Sequence, residues 1–287
     1  MRYCVPYHKD FRYLNKVDEI ILDARPINLN NMSEKLDNFI STNGITENQR
    51  LIFDISSFGD NDKRDEYILE LQKYFDDKSF HIAIMFNSYS YEKLKNVVSR
   101  VPYFFADYAT TIEEVYVFIQ KGVSDIYITE SLAFRMKEVS DYCNREGCWP
   151  VSIRVLPNVA QYDPSFKEDL PRATSFFIRP EDTDLYEDYV NVFEFWTNGA
   201  SDKLSVFYEV YRNKQWLGDL KDIIVGLNES FPNSIPPVFG ASRVNCGHRC
   251  MLGKCTVCPE CQTIATQFKN ANLEVKRKRD QDWRKGE

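Results

Sequence analysis

Eight short runs of β-branched and aromatic residues, separated by helix-like stretches, dominate the first 180 residues of this chain. The runs are RYCVPY (2–7), EIILDA (19–24), RLIFDIS (50–56), FHIAIMF (80–86), YFFADYA (103–109), DIYITE (125–130), PVSIRVLP (150–157) and TSFFIRP (174–180). Strands that alternate with helices predict βα units and a parallel sheet, and mostly apolar strands indicate a sheet covered on both faces. Eight such units predict a closed (β/α)8 barrel of the TIM type. An open doubly wound sheet is the alternative, because it has the same alternation.

The spacing of the runs also predicts how the chain is organised. Residues 1–182 are predicted to form the barrel, and the short stretch DFRYLNKVD (10–18) leaves room for only a brief first crossover helix. Residues 183–240 are predicted to be a helical extension packed on the barrel, because aromatic side chains recur there at helical spacing, followed by a linker rich in Pro, Asn and Ser. Residues 241–287 are predicted to be a cysteine-rich, metal-binding segment with a basic tail.

The distribution of charge limits the partners. The net charge is −7, yet residues 241–287 hold ten Lys and Arg against five Asp and Glu, which leaves −12 for residues 1–240. An acidic barrel is a poor surface for a long nucleic acid. The basic tail (276–285) is predicted to bind nucleic acid or an acidic protein partner, and a solvated helix end or disordered tail is the alternative.

The sequence also predicts the compartment. No run of 18 apolar residues is present, so no transmembrane helix and no membrane contact are expected. The N-terminus MRYCVPYHKD is too polar for a signal peptide. We therefore expect a cytoplasmic protein, and in a reducing compartment clustered cysteines bind a metal more often than they form disulfides.

Polar residues follow nearly all of the predicted strands. A barrel enzyme carries its site at the carboxyl ends of its strands, so these residues predict a ring that binds a small polar or anionic substrate. The ring comprises His8, Lys9, Asp10, Asp23, Arg25, Asp54, Ser56, Asn87, Asp107, Tyr108, Thr129, Glu130, Arg154, Asn158, Gln161, Arg179, Glu181 and Asp182. The alternative role of Asp, Asn and Ser at such positions is to cap the following helix.

Four members of the ring are the candidate catalytic residues. His8 is one of three histidines and is a candidate acid, base or ligand, with a hydrogen-bonded structural role as the alternative. Asp54 and Glu130 place carboxylates at the ends of two strands. Arg154 lies within the seventh run, where a buried guanidinium group needs an anionic partner or ligand.

Three further residues are candidate substrate ligands. Arg179 ends the eighth run, near where barrels often bind phosphate, and its fork donates two parallel hydrogen bonds to a carboxylate or phosphate. The stretch LPNVAQ (156–161) reads as a loop entering the site, with amides from Asn158 and Gln161.

Five of the eight cysteines fall within CGHRCMLGKCTVCPEC (246–261). They are Cys246, Cys250, Cys255, Cys258 and Cys261. Two consecutive CxxC steps are typical of iron–sulfur ligation, in which three cysteines hold one cluster and either of the first two would supply a fourth thiolate. A zinc knuckle is the alternative, with four cysteines, or three and His248, in a tetrahedron. The sequence therefore predicts an iron–sulfur cluster or zinc.

The segments GVSDIYITESLAF (122–134) and CGHRCMLGKC (246–255) resemble elements of the collagenase-like peptidase family. The resemblance covers residues 1–180 at the level of fold pattern. It implies a TIM barrel with a cysteine-ligated iron–sulfur cluster, and an enzyme that hydroxylates RNA bases or quinone rings. No individual site residue is carried over from the family.

Two functions are compatible with these patterns. The first is a metal-binding TIM-barrel enzyme, in its sharpest form an iron–sulfur-dependent hydroxylase or other enzyme that modifies RNA or a small polar or anionic molecule. The second is a non-catalytic barrel scaffold, whose structural zinc knuckle and basic tail bind nucleic acid or a protein complex. The absence of other catalytic motifs, such as HExxH or GxSxG, favours the second, and the ring of polar strand ends favours the first.

Overall fold

Eight parallel strands close into a barrel in which the first strand pairs with the last. The computed structural model describes residues 1–27, 29–58, 63–147, 151–159, 178–197, 201–216 and 222–225. The strands are β1 (Arg2–Pro6), β2 (Glu19–Asp23), β3 (Arg50–Asp54), β4 (His81–Phe86), β5 (Tyr103–Ala109), β6 (Asp125–Ile128), β7 (Ser152–Val155) and β8 (Val192–Glu194). The closed, parallel barrel confirms the predicted TIM-type fold and excludes the open doubly wound sheet.

Helices separate most of the strands and cover the barrel. They are α1 (Met32–Asn43), α2 (Arg64–Asp76), α3 (Tyr91–Val98), α4 (Ile112–Gln120), α5 (Met136–Glu146) and, after β8, α6 (Leu204–Asn213). The connection from β1 to β2 contains only a 3-10 helix at Leu14–Lys16, which confirms the brief first crossover. Further short 3-10 helices lie at Leu29–Asn31, Ser88–Ser90, Glu130–Arg135, Pro180–Tyr186 and Ser201–Lys203.

The prediction of the eighth strand was wrong. β8 is Val192–Glu194, whereas the predicted run ends outside any strand, with a 3-10 helix from Pro180 onward; residues 174–177 lie outside the described residues. The barrel therefore extends past residue 182. Residues 183–240 were predicted to be helical, but they include the strand β8 as well as the helix α6. Around β8 the aromatic residues alternate with period two: Phe195 packs outward on Tyr211 of α6, and Glu194 points inward.

Side chains alternate between the two faces of each strand. Apolar groups face outward under the helices, whereas charged groups face inward beside some apolar ones, such as Phe104 and Met85. On β3, Phe53 contacts Phe75 of α2 outside the barrel, with 5.8 Å between ring centroids. The side chain of Arg50, three residues earlier on the same strand, instead extends into the interior and donates to Asp125 on β6. The outer layer is thus an ordinary apolar core, whereas the interior of the barrel holds charged side chains.

Helix α6 covers the outer face of β1, where the missing crossover helix would otherwise lie. The ring of Tyr208 packs edge-on against Tyr3 and Phe11, each with 5.8 Å between centroids. Its hydroxyl also donates to the backbone carbonyl of Lys16. Aromatic pairs of this kind each contribute about 0.5–1.5 kcal/mol beyond the area they bury, so α6 closes the barrel wall beside the β1–β8 seam.

Candidate active site

Arg154 lies inside the barrel, where its guanidinium group contacts three carboxylates. The side chain, on β7, is fully buried. Nη1 donates to Glu19 Oε2 at 2.5 Å and to Asp125 Oδ1 at 2.9 Å, and Nη2 donates to Glu194 Oε2 at 3.1 Å. The face of the Phe104 ring lies 5.1 Å from Cζ and adds a cation–π contact. The buried guanidinium was predicted to need an anionic partner or ligand, and the barrel itself supplies three carboxylate partners.

Two further arginines extend these contacts toward the amino-terminal ends of the strands. Arg2 Nη1 donates to Glu19 Oε1 at 2.6 Å, and Arg50 Nη1 donates to Asp125 Oδ1 at 2.9 Å. We call the whole set the ion network; it consists of Arg2, Glu19, Arg50, Asp125, Arg154 and Glu194. Three cations thus face three carboxylates, which is the compensation that buried charges require.

The carboxylates at the two ends of the ion network differ in proton affinity. Burial disfavours the ionised form of Asp125, but attraction to Arg154 and Arg50 outweighs it and holds the pKa of Asp125 below its ordinary value. At Glu194 burial dominates and raises the pKa above its ordinary value, against the attraction of Arg154. Glu194 therefore binds a proton more readily than Asp125 does.

Two tyrosines surround Glu194. The hydroxyl of Tyr127 donates to Glu194 Oε2 at 2.6 Å and lies 3.5 Å from Met85 Sδ. The ring of Tyr108 lies 5.3 Å from that of Tyr127, centroid to centroid. Burial raises the pKa of both hydroxyls, so both stay protonated and can donate hydrogen bonds at neutral pH. One phenol thus donates to the carboxyl group, and the second packs beside the first.

A second carboxyl with raised proton affinity ends β3. The strand register places Asp23, Asp54 and Met85 side by side on three neighbouring strands, and Met85 contacts Tyr127 within the barrel. Burial raises the pKa of Asp54, although the backbone N–H of Ser56 donates to its Oδ1 at 2.8 Å. The register therefore places Asp54 at the carboxyl end of β3 beside Met85, whose contact Tyr127 donates to Glu194.

The predicted cations of the mouth are held by carboxylates of the protein. Arg179 is buried and donates to both oxygens of Asp182, at 2.6 and 2.8 Å. Arg25 forms a similar exposed pair with Asp23. The fork predicted to bind a substrate carboxylate or phosphate at Arg179 is therefore engaged by Asp182.

Asn158 and His8 also have local partners. The Asn158 amide is buried, donates to the carbonyl of Trp196 at 2.7 Å and accepts from its N–H at 3.1 Å, so it joins the chain after β7 to the chain after β8. His8 is one-third exposed, and its Nδ1 accepts from the backbone N–H of Asp10 at 3.3 Å. Asn158 thus connects two loops, whereas the contact of His8 is one hydrogen bond within its own turn.

The remaining predicted residues are only partly described. Glu130 begins a 3-10 helix after β6, but its side chain lies outside the description. Gln161 and the five clustered cysteines fall outside the described residues. Among the residues described, no group of three or more His, Cys, Asp or Glu side chains is arranged to hold a metal ion, and Cys4 and Cys143 are buried thiols.

Sequence reasoning missed most of the ion network. Glu19, Arg50 and Asp125 are the first residues of β2, β3 and β6. The rule that barrel sites lie at the carboxyl ends of strands does not select residues at these positions. One sequence signal could have indicated these residues: each is a charged residue at the start of an otherwise apolar strand, as in EIILD, RLIFD and DIYI. Glu194 had no such signal, because its segment was predicted to be helical.

Comparison with protein-family models, with curated proteins and with solved structures finds no match to this chain. The resemblance to the collagenase-like peptidases therefore stays a prediction. Within the part of the chain that the structure describes, every helix is too short or too polar to cross a membrane.

Proposed function

We propose that the chain is an enzyme that performs acid–base chemistry on a small polar molecule at the carboxyl-end mouth of the barrel. The observation that carries this proposal is Glu194, a buried carboxyl whose pKa is raised and which is held by Arg154 and Tyr127. A carboxyl tuned toward neutrality is what a general acid or base requires near neutral pH. Perturbed carboxyls in a barrel's interior are also typical of functional sites.

The residues have distinct roles in this proposal. Glu194 exchanges the proton, while Tyr127 and Arg154 hold its carboxyl group in place. Asp54 is the second carboxyl, suited to orient the substrate or to accept a proton, since burial also raises its pKa. Tyr108 offers a phenol donor to a substrate oxygen.

The charges favour a neutral or weakly basic substrate over an anionic one. Asp54 and Glu194 face the mouth, whereas Arg25 and Arg179 are engaged by Asp23 and Asp182. A bound anion would have to compete with those carboxylates for the guanidinium groups. If the substrate is an anion, such as RNA, the support for it comes from the basic tail (276–285) and not from the residues of the mouth.

A metal centre is a separate part of the proposal and rests on sequence alone. Cys255, Cys258 and Cys261, with Cys246 or Cys250, would hold an iron–sulfur cluster, which would supply electron transfer; four of the same thiolates would hold zinc. Iron and zinc analysis of protein purified without oxygen distinguishes the two. Protein without either metal would remove the cofactor from the proposal and leave the acid–base site.

The acid–base site is tested by the titration of Glu194. In protein with 13C-labelled glutamate side chains, we expect one carboxyl resonance to titrate above the ordinary value of about 4.3, and Glu194→Gln to remove it. The exposed Glu92→Gln serves as the matched control: the hydrogen bond from Lys95 lowers the pKa of Glu92, so this variant should remove a resonance that titrates below the ordinary value. A resonance for Glu194 that titrates at or below the ordinary value would overturn the proposal.

A second candidate function is the non-catalytic scaffold, with a zinc knuckle and a basic tail that bind nucleic acid or a protein complex. The observation that favours it is that Asn158 and Arg179, predicted to bind substrate, are tied to Trp196 and Asp182. Deleting residues 262–287 should then abolish binding to a labelled single-stranded RNA, whereas Glu194→Gln should leave it unchanged. Unchanged RNA binding by the deleted chain would exclude this role for the tail.

A further inference from the structure

The amino-terminal end of the barrel contains a cavity of about 720 Å³ that the proposed active site does not use. Its floor is formed by Arg2, Glu19, Arg50 and Asp125 of the ion network. The volume falls within the range of about 300–1,000 Å³ that is typical of small-molecule pockets. In most TIM barrels this end contributes to stability and the interior is filled with side chains, so an open polar cavity here requires an explanation.

The floor of the cavity has more hydrogen-bond donors than acceptors. Each guanidinium group carries five N–H groups. Among the residues described, Arg2 donates hydrogen bonds to Glu19 and Ser152, and Arg50 donates to Asp125 and Ser124 and lies 3.8 Å from Glu19 Oε1. Each group therefore has more N–H groups than hydrogen bonds. The carboxylate oxygens are already engaged: Glu19 accepts from Arg2 and Arg154, and Asp125 accepts from Arg50, Arg154 and Ser124. A ligand that completes this floor must therefore bring acceptors.

The charges at the floor also favour a ligand that brings hydrogen-bond acceptors. Arg2, Arg50 and Arg154 face Glu19 and Asp125 there, because Glu194 contacts Arg154 from the opposite side. Counted with Arg154, which lies behind the floor and does not line the cavity, the floor has three guanidinium groups to two carboxylates. The rim adds Arg100 against Asp18 and Asp76, so the excess of positive charge is confined to the floor. The Arg50 side chain is only 14% exposed, so its remaining donors face the cavity rather than bulk water.

The walls define the rest of the ligand. Phe75, Phe80 and Val101 line the cavity beside the charged floor. Apolar walls with a few convergent polar groups are what pockets for small organic molecules have in common.

We propose that this cavity binds a small organic oxyanion, a carboxylate or a phosphate monoester, whose charged group contacts Arg2 and Arg50 and whose apolar body lies against Phe75 and Phe80. Guanidinium groups suit either oxyanion because two parallel N–H groups match two oxygens. Glu194, Tyr127 and Asp54 are not among the residues that line this cavity, and the Arg154 guanidinium group lies between its floor and Glu194. The ligand is thus bound at a second site, separate from the proposed chemistry.

Calorimetric titration of the full chain with benzoate, phenyl phosphate and inorganic phosphate tests the proposal. We expect saturable binding of benzoate or phenyl phosphate, with the tighter of the two identifying the headgroup. Inorganic phosphate should bind at least about tenfold more weakly, because it lacks the apolar body. Sodium chloride at equal ionic strength is the control for screening.

Three variants assign the binding to the cavity. Arg2→Gln should weaken binding about tenfold, the effect of losing one hydrogen bond to a charged group. Arg100→Gln, at the exposed rim, cannot disturb the ion network and should weaken binding by a smaller factor. Arg12→Gln removes the same charge from an exposed position outside the cavity and should change nothing. Binding that no probe saturates, or that all three variants leave unchanged, overturns the proposal.

Discussion

Replacing Arg154 with Met is the most informative perturbation of this barrel. The substitution keeps an unbranched apolar stem but removes the one cation that contacts all three of Glu19, Asp125 and Glu194. The three carboxylates are not affected equally. Glu19 keeps Arg2 and Asp125 keeps Arg50, whereas Glu194 keeps only the neutral hydroxyl of Tyr127.

The expected loss is about 3–5 kcal/mol of unfolding free energy at pH 8, the usual consequence of removing one partner of a buried ion pair. That is a large part of the 5–15 kcal/mol that stabilises a typical domain. Most of it should come from Glu194, because the folded pKa of that carboxyl is already raised. A group with a raised folded pKa destabilises the fold as pH rises through that pKa. The deficit of Arg154→Met should therefore be smaller at pH 5 than at pH 8.

Urea unfolding at both pH values measures the effect, with Arg100→Met as the control at an exposed arginine of the cavity rim. The double variant Arg154→Met/Glu194→Gln should recover about 1–3 kcal/mol relative to Arg154→Met, since it removes the unpaired charge. A loss below about 1 kcal/mol, or one that is equal at the two pH values, would contradict the account of Glu194 given above.

Three further outcomes follow from local contacts. Asn158→Ala should lower the unfolding free energy by about 1–3 kcal/mol, since it leaves the backbone N–H and carbonyl of Trp196 without their partners; urea unfolding measures it, and an unchanged midpoint would contradict the contact. Thr111→Ala should cost about 1 kcal/mol, because Thr111 and Glu114 form a capping box on α4, and thermal melting would detect the loss. The pKa of Asp125 is lowered in the folded state, so ionised Asp125 stabilises the fold above its unfolded pKa of about 3.9, and this stabilisation is lost as pH falls through the folded pKa. Acid unfolding should therefore show a smaller loss of stability below about pH 4 in Asp125→Asn than in the wild type.

The barrel could be predicted from the sequence because most strands are apolar runs separated by helical patterns. Runs one to seven each contain a strand of the structure. The eighth strand could not, because β8 has three residues, Val192–Glu194, inside an aromatic stretch. A window that short does not distinguish a period of two from a period of 3.6, and burial against α6 decided between them.

The interior contacts were harder to predict than the strands. Arg154 and Glu19 are separated by 135 residues along the chain, and only barrel closure brings them together. The strand-end rule selected Asp54, a carboxyl whose pKa burial raises. It also selected Arg179, for which a carboxylate three residues away, Asp182, is the actual partner. Sequence spacing thus predicts ion pairs between residues close along the chain more readily than it predicts contacts between distant strands.

The ion network also bears on how the chain selects its register. A buried ion pair adds little stability compared with apolar residues of similar volume, so six charged residues inside a barrel call for another explanation. Each comes from a different strand: β1, β2, β3, β6, β7 and β8. A slip of one residue would turn every side chain of a strand to the opposite face and would separate Arg154 from all of its carboxylates. For β7 and β8, with four and three residues, apolar contacts alone specify the register weakly, so misaligned barrels are excluded chiefly by the charge they would leave unpaired.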